Sequence, residues 1–148
     1  MRKQNTSTEN YMRISLPAIS VNEGVARAAV AAFCAQCDPT TTELADIKCA
    51  VSEAVTNCIV HAYRDLEGEI TLTVRVIPHG VRISIRDRGC GIEDVQKARE
   101  PLFTTDAAGE RSGMGFTVME SFMDHLNVYS AKGRGTVVVL TKYLRREE

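Results

Sequence analysis

One long apolar stripe of helical period is followed directly by two runs in which apolar and polar side chains alternate. From about Glu43 to Tyr63, apolar residues recur every three or four positions, which is typical of an amphipathic helix. The next two runs, Glu69 to Ile77 and Val81 to Asp87, are rich in β-branched residues and predict a β-hairpin that turns at Pro78-His79-Gly80. The helical stripe is expected to face the core, and it consists of Leu44, Ile47, Val51, Val55, Cys58 and Ile59.

The other segments mix helix and strand patterns without a repeating strand-helix-strand unit. The predicted elements are a strand from Met12 to Pro17, helices from Ser20 or Asn22 to about Gln36, around Glu93 to Arg99 and from about Phe116 to Asp124, and strands from Leu126 to Ser130 and Thr136 to Tyr143. The inward face of the first helix is expected to carry Val25, Ala29, Val30 and Phe33, and Thr42 is expected to precede the long helix. This order favours a sheet covered on one face by helices over a doubly wound sheet.

The composition is that of one compact domain. A length of 148 residues agrees with a prior of ~150 residues per domain. Hydrophobic residues make up 44% and charged residues 25%, unlike the polar and highly charged balance of a disordered chain. We expect residues 1–10 to be a flexible N-terminal segment and residues 11–148 to form the domain.

Charge and hydropathy exclude several classes of partner. Eighteen Lys and Arg against nineteen Asp and Glu give a net charge of -1, so no global positive field attracts nucleic acid or an anionic membrane. We expect no signal peptide and no spanning helix, because no apolar run approaches the ~18 residues that a spanning helix needs. Five scattered cysteines, including one unmatched Cys34-x-x-Cys37 pair, fit reduced thiols in the cytoplasm better than a zinc or redox site.

Two clusters contain polar residues that the predicted fold does not require at those positions. Glu53 and Asn57 are four residues apart on the long helix, so they share a face. An Asn amide oxygen suits Mg²⁺, and a Glu beside it can accept a proton. Asp87-Arg88-Gly89-Cys90-Gly91 follows a strand, where the carboxylate can accept a hydrogen bond from an exocyclic amine and the glycines can take positive φ. Either cluster alone also fits a solvated surface or a glycine turn.

A third cluster is the glycine-rich run from Gly109 to Phe116, which leads into a helix. Free N–H groups and the positive end of the helix dipole suit a polyphosphate at such a position. Arg111 could neutralise a γ-phosphoryl group. The run is neither a Walker A loop, since no Gly-Lys-Ser/Thr follows, nor a Rossmann fingerprint, since no strand leads into it.

The order and spacing of these clusters, with Gly133-Arg134-Gly135-Thr136 before the last strand, resemble the N, G1 and G2 boxes and the terminal Gly-Thr element of the GHKL superfamily of ATP-binding domains. The resemblance covers about Met12 to Tyr143. The stretches Val51 to Asn57, Pro101 to Thr105 and Glu110 to Phe116 are most similar to the bacterial anti-sigma serine kinases. This implies a two-layer α/β sandwich of the Bergerat type, with a mixed, mostly antiparallel sheet.

The resemblance also implies a role for individual residues. Asn57 would bind the Mg²⁺ that bridges the ATP phosphates, and Glu53 would be the general base for an attacking serine hydroxyl. Asp87 would bind the adenine amine, and Thr136 would lie nearby. Gly89 and Gly91 would form the floor of the adenine pocket. A lid from about Ala98 to Gly115 would cover the phosphates of ATP or ADP, and the lid residues that bind nucleotide would be Thr105, Arg111, Gly113 and Gly115. For His61, a packing or surface role is favoured over a phosphate contact.

The implied partners are proteins. Members of this family act as homodimers that hold a sporulation sigma factor of the sigma-F type inactive and phosphorylate a serine of an anti-anti-sigma antagonist. Glu23 and Arg27 on the first helix are the candidate partner contacts. Two alternatives stay open: a stress-response anti-sigma kinase, and a non-catalytic ATP-gated sigma-binding module. A histidine kinase is disfavoured, because the one helix before Glu53 is too short for a paired-helix dimerisation domain and contains no histidine.

Overall fold

A five-stranded sheet forms one layer of the molecule. The computed structural model describes residues 10–64, 66–100 and 115–144. The strands are β1 (Tyr11–Pro17), β2 (Glu69–Ile77), β3 (Gly80–Asp87), β4 (His125–Ser130) and β5 (Thr136–Tyr143), in the spatial order β1-β2-β3-β5-β4. Every pairing is antiparallel, so the expectation of a mixed sheet was wrong in this respect. Short turns join β2 to β3 and β4 to β5, whereas the two long helices lie between β1 and β2. Because β3 and β4 both pair antiparallel with β5, they run in the same direction, and the connection between them crosses over β5.

Within the described ranges, the α-helices are α1 (Val21–Cys34), α2 (Thr41–Asn57), α3 (Val95–Ala98) and α4 (Gly115–Phe122), and α1, α2 and α4 pack together as the second layer. Alternate residues of the strands point towards α1, α2 and α4, and in β2 these are Ile70, Leu72 and Val74, which are almost fully buried. The opposite face of β2 carries Thr71, Thr73 and other less buried residues. The predicted fold class, an α+β sandwich with helices on one face, is confirmed.

The helix α1 is rotated relative to its predicted inward face. Ala26, Val30 and Cys34 are buried, whereas Val25 is 48% exposed. Because the helix is rich in Ala and Val, the apolar period hardly distinguishes its inward face from its outward face. Small side chains are buried where the helix packs closely against α2. At its start, Ser20 makes no side-chain capping bond, and Asn22 Nδ2 donates to Pro17 O at 2.9 Å.

The long helix begins earlier than predicted and changes type near its end. Thr40 and Glu43 form a capping box, in which Thr40 Oγ1 accepts from Glu43 N at 3.0 Å and Glu43 Oε1 accepts from Thr40 N at 2.9 Å. The α-helix ends at Asn57 and continues as a π-helix over Cys58–Ala62. The π-helix therefore lies between the two polar positions on α2 and the hairpin.

Among the residues that the structure describes, no helix is both long enough and apolar enough to cross a membrane.

Candidate functional site

A cleft of about 1120 Å³ lies between the C-terminal half of α2, the end of β3 and the start of β5. Its volume is slightly above the range of about 300–1,000 Å³ for small-molecule sites. Six of the predicted site residues line it: Glu53, Asn57, Asp87, Gly91, Gly115 and Thr136. The structure therefore brings together residues from separate parts of the sequence, and the spacing argument had predicted that they act as one site.

Asn57 lies at the junction of two helices. A Cβ atom added to Gly115 would lie 3.1 Å from Asn57 Oδ1 and 3.2 Å from Asn57 Nδ2, so the first residue of α4 contacts this amide. Glu53 is one turn earlier on α2 and borders the same cleft. The N-terminus of α4 and the Asn57 amide thus face the same space, which suits anionic oxygens.

Asp87 is a buried carboxylate at the end of β3, 5% exposed. Its Oδ1 accepts from Gly89 N at 2.9 Å and from Thr136 N at 3.2 Å. Burial raises the pKa of Asp87, while hydrogen bonding to Gly89, Cys58 and Thr136 opposes the shift. Burial and the neighbouring carboxylate raise the pKa of Cys58 well above its usual value, so this thiol remains a donor.

The pairing of β3 with β5 places Thr136 directly opposite Asp87. The Thr136 hydroxyl lies 2.8 Å from Ser130 Oγ, which also donates to Gly135 O at 2.9 Å and accepts from Ile92 N at 2.7 Å. Because the Ser130 hydroxyl donates its proton to Gly135 O, the Thr136 hydroxyl is the donor in the bond between the two hydroxyls. The lone pairs of the Thr136 oxygen then remain available to a ligand. Sequence reasoning missed Ser130, and no pattern in the sequence links it to the cleft.

The π-helix and the residue after it hold the loop that follows Asp87. Cys90 N donates to Ala62 O at 3.0 Å. The Tyr63 hydroxyl accepts from Arg88 N at 2.7 Å and donates to Glu69 O at 2.6 Å. The backbone of the loop is thereby attached to the end of the same helix that carries Asn57.

The two glycines of this loop have different roles. Gly91 lines the cleft and has a φ of 74°, a conformation that favours glycine. Gly89 does not have a positive φ, and it is required by packing instead, because an added Cβ would lie 2.3 Å from Ala62 O. The expectation of positive φ holds for Gly91 alone, and the residues that line the cleft include Gly91 but not Gly89.

Several predicted residues lie outside the described part of the chain. These are Thr105, Arg111 and Gly113, together with most of the predicted lid between Ala98 and Gly115. The flanks of this segment are joined by an ion pair between Arg99 and Glu120.

Other residues of the cleft were not predicted as site residues. Cations from three different segments border it, namely Arg64, Lys97 and Lys132, and His61 lies beside them. Ile92, Phe116 and Val138 supply apolar surface suited to a flat ring. These residues come from loops and element ends, where periodicity carries no signal. Within the described ranges, no group of three or more His, Cys, Asp or Glu side chains could hold a metal ion.

Comparisons with known proteins find relatives over most of the chain. Residues 16–142 match the family described as histidine kinase-like ATPase domain. The chain is 55% identical over 137 residues to an anti-sigma F factor of Caldanaerobacter subterraneus, covering 93% of this chain and 96% of the relative. It is 49% identical over 141 residues to an anti-sigma F factor of Bacillus subtilis, covering 95% and 97%.

A solved structure shares the fold. The crystal structure of the RsbU and RsbW domains of a Mycobacterium tuberculosis protein superposes with a TM-score of 0.66 at 23% identity, covering 93% of this chain and 32% of that chain. This likeness supports the same two-layer architecture.

Proposed function

Because the chain belongs to the histidine kinase-like ATPase family and, within it, to the anti-sigma F factors, we propose that it is an ATP-dependent protein serine kinase that also binds a sigma factor. The observation that carries the proposal is the convergence of Glu53, Asn57 and Asp87 on one cleft.

The cleft has a polarity that suits ATP. The buried Asp87 carboxylate is an acceptor for the exocyclic amine of adenine, and Gly91 and Thr136 border that end. Asn57 and the N-terminus of α4 lie where phosphates would be, and Lys97 and Lys132 add positive charge. Adenine therefore occupies the end at β3, and the triphosphate extends towards α4.

The donor set at Asn57 fits Mg²⁺. Mg²⁺ prefers hard oxygen ligands and is commonly held by few protein groups together with phosphates and water. The Asn57 amide supplies one such oxygen at the cleft, beside the first residue of α4. When bound, the ion would neutralise charge on the phosphates during transfer.

Glu53 is the proposed general base. Its carboxylate accepts the proton of the substrate serine hydroxyl as the serine oxygen bonds to the γ-phosphorus, and the bond from that phosphorus to the bridging oxygen breaks to release ADP. Arg111 is proposed to neutralise the transferring group, and Thr105, Gly113 and Gly115 to hold the phosphates. The substrate would be a serine of an anti-anti-sigma antagonist, whose added charge would drive it from the kinase.

A transfer experiment tests the kinase proposal. Purified protein, labelled ATP and Mg²⁺ are mixed with the candidate antagonist, and the modified residue is identified. We expect phosphoserine, with Glu53→Gln lowering the rate by about 10²- to 10⁴-fold while ATP affinity changes by less than about threefold. Glu67→Gln, an exposed acid outside the cleft, is the control. Phosphohistidine would contradict the proposal, and ATP-dependent sigma binding without any transfer would favour the non-catalytic module.

The first helix carries the proposed partner surface. Arg27 Nη1 contacts Glu23 Oε1 at 2.9 Å and Ser52 Oγ at 3.2 Å, so it joins a half-exposed pair on α1 to the residue before Glu53. Nearby, Ile19, Val21 and Val25 are large apolar residues that are about half exposed or more, which supports the proposed homodimer.

Sigma capture tests this surface. We expect Arg27→Glu to weaken binding of a sigma-F type factor by at least tenfold, because the charge at the contact is reversed, while ATP binding is retained. Lys48→Glu, a charge reversal on the neighbouring helix, is the matched control. Sedimentation of each protein measures the dimer in the same samples. Normal sigma affinity in Arg27→Glu would remove Arg27 from the interface, and stronger binding to a stress-response sigma factor would favour that alternative.

A further inference from the structure

A second cavity, of about 540 Å³, lies where β3 ends beside β4 and β5, and the proposed kinase mechanism does not use its arginines. Arg86, Arg88 and Arg134 line it together with Tyr129, and all four residues are exposed. The acid at its border, Asp87, is buried, and its Oδ1 accepts from two backbone N–H groups. In the part of the chain that the structure describes, no carboxylate forms an ion pair with these arginines. Three cations thus surround one concavity without a counter-charge, which makes it attractive to anions.

The outer face of the sheet extends this positive charge beyond the cavity. Side chains alternate along β3, so Arg82 and Arg86 point away from the helices while the apolar residues between them are buried. The register places Arg75 of β2 directly opposite Arg82, and Arg13 of β1 lies on the same face. Glu69, at the start of β2, is the one acid among the outward-facing residues of the five strands. Like charges directly opposite one another weaken strand pairing, so the fold alone does not account for these arginines.

The spacing of the arginines suits an extended peptide. Outward-facing residues of a strand repeat every two residues, so Arg82 and Arg86 are about 13 Å apart along β3. Alternate residues of an extended peptide repeat at the same interval. The planar guanidinium group of arginine can bind a carboxylate through two parallel hydrogen bonds. A segment with acidic residues at alternate positions therefore matches this surface in charge and in spacing.

The shape of the surface disfavours other partners. Among the described elements, no helix or two-stranded ribbon projects from this face to enter a DNA major groove. The exposed tyrosines of the face, Tyr11, Tyr129 and Tyr143, lie on three different strands about 15 Å or more apart, too far to stack successive bases of a single strand. The same face of a second copy would bring like charges together. An acidic segment of another protein has none of these obstacles.

We propose that the cavity and the adjoining outer face of the sheet bind an acidic, extended segment of a partner protein, whose carboxylates pair with Arg86, Arg88 and Arg134. The surface is separate from the nucleotide cleft, because successive strand residues point to opposite faces and Arg86 is followed by the inward-facing Asp87. It is also separate from the partner surface on α1. Binding at this surface therefore requires neither ATP nor phosphate transfer.

A binding experiment with a defined acidic peptide tests the proposal. The probe is a fluorescent peptide of about ten residues in which Glu alternates with Ser, so its carboxylates have the spacing of outward-facing strand residues. Its affinity for the 148-residue chain is measured by fluorescence anisotropy at low and at physiological ionic strength, with and without saturating ATP and Mg²⁺. A single-stranded oligonucleotide of the same length and label is measured in parallel.

We expect Arg86→Gln and Arg134→Gln each to weaken peptide binding about tenfold, because each removes a charge-assisted hydrogen bond. Lys48→Gln, which removes an exposed positive charge from the helical layer, is the matched control and should change the affinity less than about twofold at physiological ionic strength. ATP should not displace the peptide. The substituted residues are exposed, and thermal unfolding of each variant confirms that it folds.

Absence of peptide binding at low ionic strength would overturn the proposal. A loss in Lys48→Gln equal to that in Arg86→Gln would show a diffuse attraction between charges rather than a site. Displacement of the peptide by ATP would place it in the nucleotide cleft, and tighter binding of the oligonucleotide would assign the face to nucleic acid. None of these results bears on phosphate transfer, which the kinase experiment measures separately.

Discussion

The Asp87 carboxylate is held at the end of β3, where removal from water favours its protonated form. Because its pKa is raised above the ordinary value of 3.8, the folded state binds more protons than the unfolded state between these two values. Stability therefore falls as pH rises through this window, and the whole loss is present above the raised pKa. The charged carboxylate is retained at a cost in folding free energy, which is common for residues at functional sites.

Asp87→Asn should separate stability from binding. The Asn carbonyl can still accept from Gly89 N and Thr136 N, but the amide nitrogen is a donor and cannot accept from the adenine amine. We expect an equal or higher Tm at pH 7 without nucleotide, and ATP affinity reduced at least a hundredfold in calorimetry. Asp38→Asn, at an exposed position with a φ of 52° that Asn tolerates, is the control.

Retained ATP affinity in Asp87→Asn would show that another group recognises the base. A lower Tm would show that hydrogen bonds to the charged form outweigh the desolvation of Asp87.

At the scale of elements, Lys142 connects three of them. Its Nζ on β5 donates to Asp46 Oδ2 on α2 at 3.2 Å and to Phe122 O at the end of α4 at 2.6 Å. The Lys142 and Asp46 side chains are 13% and 22% exposed, and a cation at the last carbonyl of a helix also favours the helix dipole. This contact fixes α4, and hence Gly115 at its other end, relative to α2.

Replacement of Lys142 by Met should lower the free energy of unfolding by about 1–3 kcal/mol, because the Asp46 carboxylate and a helix-end carbonyl lose their donor. Denaturant unfolding measures the change. Arg99→Met, which removes the more exposed pair with Glu120, is the matched control and should cost about 0–1 kcal/mol. Equal effects of the two substitutions would show that Lys142 acts only as a surface charge.

The elements were predictable to different degrees. The period-two runs of β2, β3 and β5 give strand bounds within one residue of those observed, because a slip of one residue would expose a buried face. The start of α2 was displaced, since three successive threonines can each precede the helix and only Thr40 has Glu43 three residues later. No periodicity distinguishes a π-helix from the end of an α-helix, because both place apolar side chains at similar intervals.

At the scale of the whole molecule, the order of the polar clusters predicted which residues come together, but it did not predict the contacts that hold them there. Separate polar clusters in a fixed order predicted that Glu53, Asn57 and Asp87 meet, and they line one cleft. The contacts that hold them there depend on which strands pair, and β3 lies beside β5 rather than beside β4. Ser130 and Cys58 became visible as part of the site only through that pairing and through the end of α2.

The π-helix at Cys58–Ala62 lets the chain length vary beside the cleft. Relative to an α-helix, a π-turn accommodates one additional residue, and its surplus here lies between Asn57 and the loop contacts of Ala62 and Tyr63. Because the surplus is taken up within the turn, loss of a single codon in this stretch would return it to an α-helix and leave the residues on both sides in their orientations. One in-frame insertion or deletion at this point is thus a small evolutionary step that keeps the cleft, the sheet and most of the core in place.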